Sequence, residues 1–428
     1  MSMVKRTPTL QSLSVTQSQY FVSYRPMLNI IQNHRGLRRF SLKSTQEYYL
    51  DHVHEIIEAC SKIDYLHLDL WRQPPKSYDF HGRISERSAT AKDRFRRMQY
   101  TKFRELNLEL HNESMAHDLL MSLIERCPLL EKLSIAGRFK STTLSDLSTI
   151  LQTGVCPSLS TLELGDSHDT RHGPGDLATL IRSIGCGSNN KGINNGNGSD
   201  SGGLEALSLY NGTRFGPLAI SALTQCHAKT LTTLRWPQLT SLNLSLFGDI
   251  LKGLPRLQTL QARVWLNLRV KDGPDMDRVF EKQWNCPDLI NLELDLGLSC
   301  NFHSTADPLW KGSLSDRCMT YVFSQIARLV TLKKLEIRSE VALLILREPG
   351  YLGMLSGLKQ LQSLRFDRWE SFEIGAEDAK WMIENWPKLS QVVEIWRLQG
   401  ILPQRTRGRA LEGFTQTLVT LRPWLRTT

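Results

Sequence analysis

Residues 127–135 read CPLLEKLSI, and close copies of this phrase recur as CPSLSTLEL at 156–164 and CPDLINLEL at 286–294. In each copy an apolar hexad of the form L-x-x-L-x-L follows the Cys-Pro pair after one further residue. Proline cannot continue a helix and disfavours helix at the residue before it, so the pair marks the end of a helix. The alternation of apolar and polar residues that follows predicts a short strand.

The hexad occurs thirteen times, and most intervals between successive copies are 26 to 32 residues long. A fixed period along a chain predicts a solenoid, because one short unit cannot bury its apolar face without a neighbour. The three longer intervals each contain an insertion. The hexads begin at Leu10, Leu37, Ile63, Phe103, Leu130, Leu159, Leu204, Leu231, Leu257, Leu289, Leu332, Leu361 and Leu389.

Helical apolar spacing between the hexads, as in residues 117–126, completes the repeat unit. Strand and helix in every unit predict an α/β leucine-rich repeat solenoid shaped like a horseshoe, with a parallel sheet on the concave side and helices on the convex side. The crossover rule for parallel strands makes it right-handed. Hexad positions one, four and six then face the core, and positions three and five face the concave side. We interpret residues 1–428 as a single solenoid of about 13 repeats.

Three segments interrupt or end the repeats. Residues 71–102 form a basic insertion with aromatic residues among its charges. This insertion is either a contact arm for phosphate or an acidic partner, or a solvated loop that folds back on the solenoid edge. Residues 185–203 are rich in Gly, Asn and Ser, and we expect a disordered loop there. Residues 401–428 carry apolar residues at near-helical spacing and predict a C-terminal capping helix.

The side chains that face the concave side are the candidates for a partner-binding surface, because groups held on rigid strands lose little freedom on binding. Acidic residues prevail in the early repeats and basic residues in the later ones, so one partner could be oriented by charge. The alternative is an ordinary solvated strand face with cross-strand ion pairs. The candidates are Tyr65, His67, Asp69, Glu105, Asn107, Glu109, Glu163, Arg235, Arg263, Glu293, Arg338 and Arg365.

The sequence contains no nucleophile elbow, phosphate-binding loop, dinucleotide fingerprint or paired zinc ligands in the context that each requires. Residues 165–169 (GDSHD) have suggestive side chains, but they follow a strand and are interpreted as a turn. We therefore expect no catalytic residue, no metal and no cofactor. The net charge of +10 favours acidic partners without identifying one.

Four of the eight cysteines precede predicted strands at equivalent positions, where a small buried thiol packs well. Together with the lack of an apolar signal segment, they indicate reduced structural cysteines in a cytoplasmic or nuclear protein. No apolar run reaches the roughly 18 residues that a membrane span needs. We expect a monomer that contacts no membrane and whose partner is a protein. Nucleic acid is a less favoured partner.

The phrase C-P-x-L-x-x-L-x-L, repeated with helices between the copies, resembles the leucine-rich repeat region of F-box proteins, particularly the divergent ones of fungi. The resemblance covers roughly residues 8–400 and implies the substrate-recognition scaffold of an F-box-like ubiquitin ligase. Only nine residues precede Leu10, which leaves no room for an F-box in this chain. The alternatives are a repeat scaffold that binds RNA or phosphate groups through the basic insertion and a GTPase-regulating leucine-rich repeat protein.

Overall fold

A computed structural model gives the fold of the chain, which divides into two compact units, Met1–Thr230 and Leu231–Thr428. The basic insertion lies outside the described residues except for Lys102, as do residues 187–202 of the Gly-rich loop. The structure describes residues 10–17, 25–44, 50–70, 102–110, 113–137, 142–165, 174–186, 203–210, 215–236, 244–265, 283–297, 308–339, 351–367, 376–395, 416–423 and 426–427.

All thirteen hexads lead into a β-strand, and each strand begins two residues after the first residue of its hexad. The strands of the first unit are β1 Ser12–Gln17, β2 Arg39–Ser44, β3 Tyr65–Leu70, β4 Glu105–Leu110, β5 Lys132–Gly137, β6 Thr161–Leu164 and β7 Ala206–Leu209. Those of the second unit are β8 Thr233–Trp236, β9 Thr259–Trp265, β10 Asn291–Gly297, β11 Lys334–Ser339, β12 Ser363–Asp367, β13 Gln391–Ile395 and the short β14 Arg426–Thr427.

Helices separate most of the strands, and three of them begin at a proline, which suits the first turn of a helix. A face with helical spacing packs inward, as Leu144, Leu147 and Leu151 do. The helices are α1 Arg25–Asn33, α2 Leu50–Ala59, α3 Glu113–Ile124, α4 Thr143–Gln152, α5 Pro174–Cys186, α6 Pro217–Cys226, α7 Leu244–Gly253, α8 Pro308–Ala327, α9 Tyr351–Met354 and α10 Ala376–Asn385.

Within each unit the strands pair in parallel and in chain order, from β1 to β7 and from β8 to β14. Parallel strands in chain order, with helices between them, confirm the predicted α/β fold of leucine-rich repeat type. Parallel neighbours need a crossover connection, which these helices provide.

A recurring turn precedes most of the strands. The N–H of the first hexad residue donates to the carbonyl three residues earlier, as Leu159 does to Cys156 at 3.2 Å. The thiol of Cys156 in turn donates to the carbonyl of Cys127 in the preceding repeat, at 3.3 Å. Cys286 makes the equivalent contact with the carbonyl of Leu254, at 3.4 Å. Burial raises the pKa of Cys156 and of Cys286 to about 12, so both thiols stay protonated at neutral pH.

A second turn contact links neighbouring repeats through the carbonyl of the second hexad residue. The carbonyl oxygen of Arg38 accepts hydrogen bonds from the N–H groups of Asp64 and Tyr65, at 2.9 and 3.1 Å. The carbonyl of Asp64 accepts from Arg104 and Glu105 in the next repeat, at 2.8 and 3.1 Å. The pattern continues along both units, so each repeat is held to its neighbour just before the strand ladder begins.

Only part of the predicted C-terminal capping helix over 401–428 can be described, since 401–415, 424–425 and 428 lie outside the described residues. Residues 416–421 are helical, and β14 adds two residues to the sheet beside β13. Trp424 stands two residues before β14, at the offset of a first hexad residue, which the sequence analysis overlooked. The guanidinium of Arg422 donates at 2.8 to 3.1 Å to the carbonyl oxygens of Ile383, Trp386 and Leu389.

The fourth hexad positions form leucine ladders in the core. Leu133, Leu162 and Leu207 are paired in register on β5, β6 and β7, and none of the three is exposed. In the second unit Leu292 and Leu335 are paired in the same way and are equally buried. A leucine enclosed by ladder neighbours on both sides leaves a cavity when it is shortened.

Leu162→Ala is expected to lower the free energy of unfolding by about 2–5 kcal/mol, through lost burial and an unfilled cavity. The measurement is urea denaturation followed by circular dichroism. Leu129→Ala is the matched control, because Leu129 is 45% exposed and its truncation leaves no internal cavity. A loss below about 1 kcal/mol for Leu162→Ala would show that the hexad register is misassigned.

His227 forms a buried cross-link at the end of the first unit. Its Nδ1 accepts a hydrogen bond from the N–H of Leu204 at 3.0 Å, and its Nε2 donates to the carbonyl of Ile181 at 2.9 Å. Gly203 leaves the room for this ring, since an added Cβ would lie 2.5 Å from Oγ1 of Thr230 and 3.1 Å from Nδ1 of His227. Burial lowers the pKa of His227 because the charged ring would lose its hydration, and the hydrogen bond to Ile181 opposes this effect only in part.

The stability of the protein should therefore fall as the pH drops below about 6.5. The unfolded chain takes up a proton at that pH, whereas folded His227, with its lowered pKa, resists protonation. His227→Gln can keep one donor and one acceptor without titrating. We expect it to reduce the stability difference between about pH 7.5 and 5.5, measured by urea denaturation at both values. If His227→Gln left the pH dependence of stability unchanged, this role of His227 would be contradicted. The variant should still retain part of the dependence, because the pKa of His67 is also lowered.

Candidate binding face on the strands

The side chains at hexad positions three, five and seven form one face of each strand set, which we call the polar strand face. Alternation along β2 illustrates it: Phe40 and Leu42 are fully buried, whereas Arg39 and Lys43 are exposed. Successive side chains of a strand point to opposite faces, so one set enters the core and the other stays available to solvent. All twelve candidate residues stand at these positions.

On β2 and β3, all three rows of this face are joined by cross-strand contacts. The guanidinium of Arg39 lies 5.6 Å from the centre of the Tyr65 ring. In the next row the Ser41 hydroxyl and Nδ1 of His67 are 3.1 Å apart. In the third row Nζ of Lys43 lies 2.8 Å from Oδ2 of Asp69. The sequence analysis omitted the β2 side chains, although their hexad positions could have identified them.

The register places six candidates on two adjacent strands. Tyr65, His67 and Asp69 on β3 lie directly opposite Glu105, Asn107 and Glu109 on β4. Asp69 is only 2% exposed, although its hexad position predicts a solvent-facing side chain. Its Oδ1 atom is enclosed and has no hydrogen-bond partner among the described residues.

The environment of this patch shifts three side-chain pKa values. Burial raises the pKa of Tyr65, and the nearby carboxylate of Glu105 adds to the effect. Burial lowers the pKa of His67 and outweighs the opposing influence of Asp69, so the ring is neutral at pH 7. The hydrogen bond and charge of Asp69 raise the pKa of Lys43. The patch therefore presents a neutral imidazole and phenol beside carboxylates.

Glu163 is not adjacent to the other candidates of the first unit. It stands on β6, and β5 separates it from β4, with Ser134 between Asn107 and Glu163 in the same row. The carboxylate of Glu163 pairs with Lys132 of β5 at 2.7 Å. Part of the acidic character expected from the sequence is thus neutralised by a lysine of the neighbouring strand.

The five candidates of the second unit lie one on each strand from β8 to β12. Arg235 is exposed, and no residue in the described part of the chain forms an ion pair with it. Arg263 lies 3.4 Å from Asp295, its register partner on β10. The other three belong to a denser arrangement around the carboxylate of Glu336.

Glu336 on β11 is 1% exposed and is surrounded by cations. Arg338 lies 2.7 Å from Glu336 and also 2.7 Å from Glu293, so it bridges β10 and β11. Nε of Arg365 on β12 is 3.4 Å from Glu336. We call Glu293, Glu336, Arg338 and Arg365 the acid–base cluster. Glu336 was not among the predicted candidates, although it occupies the fifth position of the hexad that begins at Leu332.

A groove of about 310 Å³ opens on the polar strand face of β8 to β11. Its walls combine cations, a carboxylate, side-chain amides and a hydroxyl. Gln261 donates to Glu293 at 2.8 Å, and Asn291 donates to Thr259 at 3.2 Å, so these polar groups are held in fixed positions. The side chains and backbone that line the groove belong to Arg235, Thr259, Leu260, Gln261, Asn291, Leu292, Glu293 and Lys334.

No helix in the described part of the chain is both long and apolar enough to cross a bilayer. No group of three or more His, Cys, Asp or Glu side chains in the same ranges is arranged to hold a metal ion. Disulfide bonds do not involve the described cysteines Cys60, Cys127, Cys156, Cys226 and Cys286.

Comparison with known proteins identifies similar folds and no family. No family model matches the chain, and no curated protein matches it. A solved chain of the Rad7–Elc1 complex from yeast is similar over 95% of this chain and 88% of its own length, at 12% identity and a TM-score of 0.40. The leucine-rich repeat-containing protein LegL7 from Legionella pneumophila is similar over 83% and 93%, at 12% identity and a TM-score of 0.35.

Glu336→Gln is expected to lower the free energy of unfolding by about 1–3 kcal/mol, because Arg338 and Arg365 would face each other across an uncharged amide. The loss stays below that of a fully buried pair, since both arginines keep some contact with water. Urea denaturation measures it. Glu125→Gln, at an exposed position, is the control and should change stability by less than about 0.5 kcal/mol. Equal losses for the two variants would contradict a stabilising cluster.

Proposed function

We propose that this chain is a non-catalytic module that captures a protein partner on its polar strand face. The observation that supports this most strongly is the fixed placement of polar side chains by cross-strand contacts in both units. Side chains already held in one conformation lose little entropy when a partner binds. A rigid array with alternating donors and acceptors suits the irregular hydrogen-bonding surface of a folded protein or peptide.

In the first unit, the proposed contact is centred on Tyr65, His67, Glu105 and Asn107. Tyrosine is a frequent anchor at protein interfaces because its ring buries apolar area while its hydroxyl keeps a hydrogen bond. Tyr65 is partly exposed between the guanidinium of Arg39 and the carboxylate of Glu105. Glu105 is partly exposed and unpaired among the described residues, so a basic group of a partner can reach it.

In the second unit, the proposed contact is the groove between Arg235 and Lys334. Its walls offer both donors and acceptors, which is what the N–H and C=O groups of a polypeptide require. Arg235 lacks an internal ion pair among the described residues, so its guanidinium can bind a partner carboxylate without breaking a native contact. The acid–base cluster next to it fixes the groove wall at Glu293.

The resemblance of the repeated hexad to the repeats of F-box proteins extends the proposal. The partner would be the substrate of an F-box-like ubiquitin ligase, and the chain would act as a monomer in the cytoplasm or nucleus. Each strand adds its own polar side chains to the polar strand face, so each further repeat enlarges the surface. This arrangement supports a large recognition surface.

The test is affinity capture from the source cells with wild-type protein and a charge-swap variant, Glu105→Lys with Arg235→Glu. We expect the variant to recover at least about tenfold less of each specific partner, since like charges would replace two complementary contacts. Quantitative mass spectrometry of the captured proteins gives the ratio. Thermal unfolding of both proteins checks that the fold is unchanged.

The matched control is Glu125→Lys with Arg182→Glu, which makes the same two charge reversals at exposed positions outside the polar strand face. It should capture the partner as the wild type does. Neutralising Arg94, Arg96 and Arg97 of the basic insertion should also leave capture intact. Loss of capture with either of these sets, and not with the strand-face pair, would refute the proposed face.

A further inference from the structure

A second groove, of about 610 Å³, lies in the first unit at the turns that lead into β2, β3 and β4. It is separate from the polar strand face, because its lining residues precede the strands. Five of them are basic and one is acidic. The groove is lined by Arg35, Gly36, Leu37, Arg38, Lys62, Asp64, Lys102, Arg104 and Leu129. We call it the basic groove.

The basic groove is built from equivalent positions of successive repeats. Arg38, Asp64 and Arg104 are second hexad residues, and Lys62 and Lys102 directly precede their hexads. The carbonyl of each second hexad residue accepts two N–H groups of the next repeat, as described above for Arg38 and Asp64. The backbone under the groove is therefore fixed, and its turns follow the strand spacing of about 4.8 Å.

The positive charge of the basic groove is largely uncompensated within the described part of the chain. The side chains of Arg35, Arg38, Lys62 and Lys102 are exposed, and none forms an ion pair or hydrogen bond with another described residue. Arg104 pairs with Glu131, but both side chains are about half exposed. Such a surface pair is weak, so a more highly charged anion can displace Glu131.

The composition of the groove distinguishes between its potential ligands. Protein partners normally insert an aromatic or aliphatic anchor, and among the described residues the groove offers only Leu129 as an exposed apolar side chain. Single-strand binding that depends on base stacking needs aromatic rings, and none of the described lining residues is aromatic. Contacts to a phosphate backbone need only cations at regular intervals.

We propose that the basic groove binds the phosphodiester backbone of a nucleic acid, without reading its bases. Each of three successive turns carries at least one cation, with Asp64 beside Lys62 on the middle turn, and this arrangement matches a ligand whose negative charge also repeats. Lysines contact phosphates as point charges, and the arginines can form two parallel hydrogen bonds to one phosphate. The groove adds a nucleic-acid site that acts independently of the proposed protein contact on the strand face.

The test measures binding of a fluorescein-labelled DNA duplex of about 20 base pairs, or two helical turns, and of a U-rich RNA strand of equal length. Fluorescence anisotropy is recorded between about 50 and 200 mM salt. For wild-type protein we expect log K to fall with log salt with a slope of at least about 3 on the duplex, from four phosphate contacts. Changing the duplex sequence should leave the Kd unchanged.

The groove variant carries Arg38→Gln, Lys62→Gln and Lys102→Gln. It should lower the salt slope by about three and weaken binding at least about tenfold at the lowest salt. The control carries Arg182→Gln, Lys229→Gln and Lys252→Gln, which remove the same charges from exposed positions elsewhere. It should keep the wild-type slope. Because all three groove side chains are exposed and unpaired among the described residues, both variants should unfold at the wild-type temperature.

Three results would overturn the proposal. In the first, neither nucleic acid binds the wild-type protein at about 50 mM salt. In the second, the groove variant and the control lose the same slope, which means that net charge and not the groove attracts the ligand. In the third, polyglutamate displaces the duplex from the wild-type protein when both ligands are present at the same total charge. The groove variant then loses as much affinity for polyglutamate as for the duplex. That result would assign the groove to an acidic protein segment.

Discussion

The fold depends on one carbonyl oxygen in each repeat. The second hexad residue turns its C=O toward the next repeat and accepts two N–H groups there, those of the equivalent residue and of the residue that starts the strand. Buried amide groups must be paired, and this contact satisfies two of them at the point where helix gives way to strand. It sets the strand register, because once these two bonds exist the following residues can pair in only one way. The same register aligns the leucine ladders, the polar strand face and the basic groove.

Much of this architecture can be predicted from the sequence because the hexad determines which residues of each repeat are buried and where its strand begins. Apolar residues at positions one, four and six must be enclosed together, and all thirteen hexads place their strands at the same offset. The partial hexad at Trp424 was missed because it lacks the later apolar residues that make the others recognisable. The handedness and shape expected from the period remain predictions.

The candidate face could be predicted only as a set of positions. Asp69 and Arg263 occupy the same seventh position, yet Asp69 is enclosed and Arg263 is partly exposed. One contribution comes from the neighbouring strand, where Lys43 pairs with the Asp69 carboxylate, and no local sequence pattern encodes such a contact. The acid–base cluster has the same origin, since Glu336 is buried by arginines of its own and the adjacent strand. The basic groove was not predicted because its residues precede the strands. The predicted candidates all stand at hexad positions three, five and seven.

The acid–base cluster also constrains how this surface can evolve. Arg338 contacts two carboxylates, and Glu336 contacts two arginines, so a change at any one of these positions alters the charge balance of the whole cluster. The four residues are therefore expected to vary together among descendants of this sequence, by paired or compensating replacements. Arg235 lies outside that network in the described part of the chain and is free to vary alone. Substitutions that change the partner should therefore appear first in the groove wall formed by β8. The charged residues on β10 to β12 should change more slowly.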